Sequence, residues 1–107
     1  MNWVITTFIS QRGEKPVDEF LKKQSLKTQS KATHLIDLLE LHGNLLGMPY
    51  SKRLDKNIFE LRIRGKQEMR ILYCFNKRGI ILLHAFKKQT QKTPRKEIET
   101  AKKRMGS

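Results

Sequence analysis

Residues 58–86, IFELRIRGKQEMRILYCFNKRGIILLHAF, decide the fold. Within 58–64, Phe59, Leu61 and Ile63 alternate with Glu60, Arg62 and Arg64, the period of a strand with one face in water. A turn over 65–68 opens with Gly65, and 69–75 (MRILYCF) reads as the next strand. The turn Asn76-Lys77-Arg78-Gly79 leads into 80–86 (IILLHAF), which is apolar on both faces and points to a central place in the sheet.

Working outward, residues 3–9 (WVITTFI) are rich in β-branched and aromatic side chains and read as a further strand. Gln11 to Lys15 form a polar turn. Pro16 suits the first position of a helix, with Val17, Phe20 and Leu21 following at helical spacing. The polar stretch Ser25 to Ser30 breaks it. Ser30 then serves as N-cap of a second helix, where Ala32, Leu35, Ile36 and Leu39 share a face and Gly43 is the stop. The two helices form an αα-hairpin, and Gly47-Met48-Pro49 opens a loop. Beyond the strand block, Thr93 caps and Pro94 starts a closing helix striped by Ile98, Ala101 and Met105. The order β-α-α-β-β-β-α describes one α+β domain over residues 1–107, with a mostly antiparallel sheet.

The charge is uneven. The chain carries a net +13, yet residues 1–49 hold 6 basic and 5 acidic side chains while 50–107 hold 17 and 5. A basic surface built by one half of a domain suits a polyanion; the plainer reading is a solubilising surplus. Cys74 is the only cysteine, so no internal disulfide can form, and its apolar strand suits a small buried side chain. Thr6 and Thr7 interrupt the amino-terminal run before a signal-peptide core develops, and no apolar run approaches the ~20 residues of a membrane span. The expected location is the cytoplasm.

Alternation places Arg62 and Arg64 opposite the apolar face, and Arg70 sits on the next strand. A hairpin would gather the three on one sheet surface, beside the turn residue Lys66. Two readings of Arg70 compete, a functional cation and a structural partner of Glu60. Residues 86–96 (FKKQTQKTPRK) carry Lys87, Lys88, Lys92, Arg95 and Lys96 without an acid. Such a run is either a solvated loop or, where a strand meets a helix start, a phosphate-binding segment to which Thr90 and Thr93 add hydroxyls. Clustered cations suit RNA cleavage, in which the 2′-hydroxyl attacks its own phosphate and the extra negative charge must be stabilised. No metal or other cofactor is expected, because His34, His42 and His84 form no ligand spacing with Cys74 or a carboxylate group. His84 is a candidate acid or base against the reading of a packed core histidine. Tyr73 is a second such candidate, though its face is the apolar one. Tyr50 stays open.

The elements FELRIR (59–64), MRILYCF (69–75), LLHAFKKQTQKTP (82–94) and EIETAKKR (97–104) together resemble the phage-derived Gp49-like branch of the RelE/HigB toxin superfamily. The resemblance implies ribosome-dependent cleavage of mRNA in the decoding A site, contact with ribosomal RNA, and neutralisation by a helix-turn-helix antitoxin similar to HigA. By position, Arg62 resembles the basic residue facing the scissile phosphate and Arg70 the arginine that stabilises the transition state. Lys88, or its neighbour Lys87, resembles the basic residue just past the last strand. Some members use a tyrosine near the closing helix, and here none follows Tyr73. Two other classes share the features in part. One is a non-enzymatic toxin like the ParE branch, which binds gyrase and needs no arginine pair. The other is an RNA- or DNA-binding module without catalysis, for which no aromatic platform is evident.

Overall fold

The computed structural model describes residues 2–106. Strand β1 (Ile5–Thr7) is followed by helices α1 (Pro16–Lys22) and α2 (Leu26–His42), the latter ending in a short 3-10 turn at Gly43–Leu45. Strands β2 (Ser51–Asp55), β3 (Ile58–Ile63), β4 (Met69–Asn76) and β5 (Gly79–Lys87) come next, and α3 (Arg95–Met105) closes the order. The sheet runs β1-β5-β4-β3-β2, antiparallel throughout except for β1 against β5. The α+β class, the αα-hairpin and the closing helix agree with the sequence reading, and β5 lies inside the sheet as its two apolar faces require.

One strand is added. β2 occupies a stretch read as loop, because SKRLD offers only Leu54 as an apolar marker. It is an edge strand with a single neighbour, and Lys52 and Arg53 are exposed on it. Edge strands are commonly charged in this way, which erases the apolar alternation that identifies buried ones.

Two helix starts also shift. The N-cap of α2 is Ser25, not Ser30: the Ser25 Oγ accepts the Thr28 N–H at 3.2 Å. The added turn carries no apolar stripe, and its Leu26 is 82% exposed, so hydrophobic periodicity starts later than the helix does. At α3, Pro94 is extended and occupies the cap position, with Arg95 the first helical residue. Thr93 therefore does not cap; its hydroxyl donates to Glu60 Oε2 instead.

The sheet is covered unequally. On one face α1 and α2 bury Val17, Ala32, Leu35 and Leu39 against Leu61, Ile63, Ile71 and Tyr73. Each fully buried aliphatic side chain there contributes about 1.5–3 kcal/mol. Gly43 is needed at the end of α2, where φ is +54° and a Cβ would overlap the Trp3 indole. On the other face α3 sets Ala101 and Ile98 against Ile58, Leu72, Cys74, Leu83 and Phe86. A register shift between Leu72 and Tyr73 pairs them with His84 and Leu82, leaving Leu83 as an extra residue on β5. This bulge turns both Leu83 and His84 toward α3. No helix among the described residues is long and apolar enough to cross a membrane.

Candidate active site

Helix α3 covers only one end of its sheet face. At the other end the β3–β4 hairpin and the segment after β5 enclose an open cleft of about 440 Å³. Arg62, Arg64, Lys66, Arg70 and Lys88 line it, with Glu68 as the lone carboxylate among its walls. The strand register explains the gathering: Arg62 lies directly across from Arg70, and the β4–β5 pairing ends at Met69 and Lys87, just before Lys88.

Two arginines facing each other across a ladder repel, so the arrangement requires carboxylates. Glu60 and Glu68 supply them. Glu60 is 1% exposed, as is Arg70, and its Oε1 lies 3.5 Å from Arg70 Nε and 3.7 Å from Arg62 Nε. Neither Nε makes a hydrogen bond, so these are ion pairs without directional closure. Glu68 Oε1 accepts from Arg70 Nη2 at 2.6 Å, and Arg70 Nη1 donates to the Met69 carbonyl at 3.0 Å. Arg70 is thus oriented from three sides at the floor of the cleft. The Thr93 bond to the remaining Glu60 oxygen ties the segment before α3 to the same centre.

The electrostatics follow from this packing. The hydrogen bond and charge of Arg70 hold the Glu68 carboxyl below its usual range. Lys88 is lowered first by loss of water around it and next by the charge of Arg70, against the opposing pull of Glu60. Its backbone N–H donates to the Glu68 carbonyl at 2.9 Å, which fixes where the side chain emerges. A lysine so placed sheds its proton more readily than one in water.

The candidates divide clearly. Lys92 and Thr93 line a smaller basin of about 260 Å³, which adjoins the cleft through Arg62 and Lys88 and also takes in Lys52 and Arg53. Lys87 is exposed opposite Met69 and lines neither hollow, so of the two neighbouring lysines only Lys88 enters. Arg95 and Lys96 are exposed on the first turn of α3, outside both. His84 is held at the α3 interface, with Nε2 2.8 Å from Glu97 Oε1 and Nδ1 3.2 Å from Arg104 Nη1. Both ring nitrogens are engaged there, away from the cleft. Tyr73 lies on the helix-covered face, its hydroxyl hydrogen-bonded to Ser51 and its pKa pushed up by burial. Glu68 escaped sequence reasoning as a turn residue; its place two positions before Arg70 was the available signal. Arg53 and Lys52 were missed together with β2.

Chemically, the cleft offers guanidinium donors in fixed orientation, one lysine with a weakened hold on its proton, and a floor neutralised from beneath. It can bind a phosphodiester and stabilise added negative charge on it. Among the described residues no group of three His, Cys, Asp or Glu side chains could hold a metal ion. No curated protein matches the chain. A family model described as phage-derived protein, Gp49-like (DUF891), matches residues 19–106, a span that holds every cation of the cleft. The match agrees with the resemblance carried by the strand and loop motifs: the chain belongs to the phage-derived Gp49-like family.

Proposed function

We propose that the protein is the toxin of a toxin–antitoxin pair, an endoribonuclease that cleaves mRNA in the ribosomal A site and so arrests translation. The observation that carries this reading is Arg70, buried and oriented by two carboxylates beneath a cleft that four other cations line. Such a floor suits a phosphate whose charge increases during reaction. In the proposed step the 2′-oxygen forms a bond to phosphorus and the P–O5′ bond breaks. The products are a 2′,3′-cyclic phosphate and a free 5′-hydroxyl. Lys88 takes the 2′-hydroxyl proton and later releases it to solvent, Arg62 and Arg70 stabilise the pentacovalent phosphorane, and water protonates the departing 5′-oxygen. None of these steps needs a metal.

The exposed Arg95, Lys96 and Lys92 extend the cationic surface beyond the cleft, where ribosomal RNA would lie. A helix-turn-helix antitoxin similar to HigA is the proposed partner, and the cytoplasm the proposed location. The test is induction in a bacterial host with primer extension on abundant mRNAs, comparing the wild type with Lys88→Ala and Arg70→Lys. Growth arrest with new in-frame cuts, lost in both variants, is the expected result. Arrest without cuts would end the nuclease reading in favour of a protein target such as gyrase.

A further inference from the structure

A third hollow lies on the far side of Arg62 and Arg64 from the cleft. It holds about 430 Å³ between α2 and the entry to β2, walled by His34, Leu35, Pro49 and Tyr50 together with Arg62 and Arg64. That volume falls within the range of small-molecule sites, roughly 300–1,000 Å³. Its two arginines also line the cationic cleft, so the two hollows share one wall.

The backbone of Tyr50 is held in place while its side chain is open to solvent. Its carbonyl accepts the Arg62 N–H at 2.8 Å and its own N–H donates to the Gly47 carbonyl at 3.1 Å. The residue nevertheless remains 44% exposed. Across the hollow, Lys31 Nζ donates to the Arg64 carbonyl at 3.0 Å and braces α2 against the end of β3. The result is a largely apolar hollow with an aromatic wall, bounded by Arg62 and Arg64 on the side it shares with the cationic cleft. Single-stranded nucleic acid is held by this combination, its phosphates on the cations and an unstacked base on the ring. A nucleotide strand offers a base to the ring and a phosphate to the cations at once, and the shared Arg62 and Arg64 join this hollow to the cleft.

We propose that the hollow is a nucleobase subsite, which takes the base of a nucleotide flanking the scissile phosphate, stacked on Tyr50, while Arg62 and Arg64 hold the intervening backbone. The proposal rests on the RNA-cleavage reading and assigns that site a contact with a base. An acidic segment of a protein partner would satisfy the cations, but it has no need of the aromatic wall.

The test is fluorescence anisotropy with a short labelled single-stranded RNA and its abasic counterpart, on the wild type, Tyr50→Ala and Tyr50→Phe. Circular dichroism melting confirms that each variant is folded. Tyr50→Ala should weaken RNA binding by roughly 10-fold, as loss of one stacked base does. It should leave the abasic strand unaffected, and Tyr50→Phe should bind RNA like the wild type. Equal binding of RNA by Tyr50→Ala and wild type overturns the subsite, as does an equal loss on the abasic strand. If RNA binding is unchanged but Tyr50→Ala escapes antitoxin neutralisation, the hollow belongs to a protein partner and the proposal fails. Base-dependent binding without cuts on translating ribosomes would instead remove the nuclease reading and leave the subsite standing.

Discussion

At the scale of single residues, Arg70 pairs with Glu60 as its structural reading expects, and it also floors the cleft where the proposed reaction would need it. The two roles have separable consequences. Arg70→Ala leaves Glu60 buried without its main counter-charge, which costs about 3–5 kcal/mol, a large share of a small domain's stability. Urea denaturation should show that loss, and the double variant Arg70→Met with Glu60→Gln should recover most of it. Cleavage should stay absent in both. A double variant that recovers stability and cuts RNA as well would leave Arg70 a purely structural residue. Lys88 gives the matching test of proton transfer. A base must be neutral to act, and its pKa is lowered by burial and by Arg70, so the neutral fraction grows as pH rises. Single-turnover cleavage should therefore increase across the neutral to mildly alkaline range, and Lys88→Arg should abolish the increase. A flat wild-type profile would exclude Lys88 as the base. Residue identity made the cations legible, because Arg62 and Arg70 in apolar strands demand an explanation from sequence alone. It could not separate Lys87 from Lys88, since that depends on where pairing with Met69 ends.

At the scale of elements, the strongly periodic segments were readable and the weakly periodic ones were not. β3 declared itself through apolar alternation and β4 and β5 through apolar runs bounded by turns, whereas β2 was hidden by its charged edge. The bulge at Leu83 left no trace in composition, yet it decides that His84 turns to the α3 face and meets Glu97 and Arg104. The cap residues make these boundaries testable. Ser25→Ala should lower stability by about 0.5–2 kcal/mol and shift the thermal midpoint downward, whereas Ser30→Ala should change little. The reverse ranking would restore Ser30 as the cap. Thr93 separates capping from latching more sharply. Aspartate is as good a cap as threonine or better, so Thr93→Asp would be neutral at a helix start. Against the buried Glu60 carboxylate it sets like charges together, and both the melting temperature and the cleavage rate should fall. A stable and active Thr93→Asp would mean that the contact with Glu60 does no more than fill space.

At the scale of the whole molecule, the net charge is +13, and five of the cations line the cleft that α3 leaves open. Exposed charge of this kind interacts weakly with any single phosphate, but together it would raise the rate and the salt sensitivity of the proposed encounter with RNA. The cleft cations and the outer cations should then separate by ionic strength. In the proposed complex Arg62, Arg64, Lys66, Arg70 and Lys88 would meet the strand itself, each phosphate they neutralise contributing a slope of about −0.7 to the logarithm of affinity against the logarithm of salt. Arg95→Ala with Lys96→Ala, both outside the cleft, should leave the slope for a short single-stranded RNA unchanged. The same pair should reduce the salt-dependent affinity for 70S ribosomes, measured by sedimentation across a potassium chloride series. If the pair instead lowers the short-RNA slope by one or more such steps, the strand runs over the start of α3. The substrate path would then cross the basin of Lys92 and Thr93, not end in the cleft.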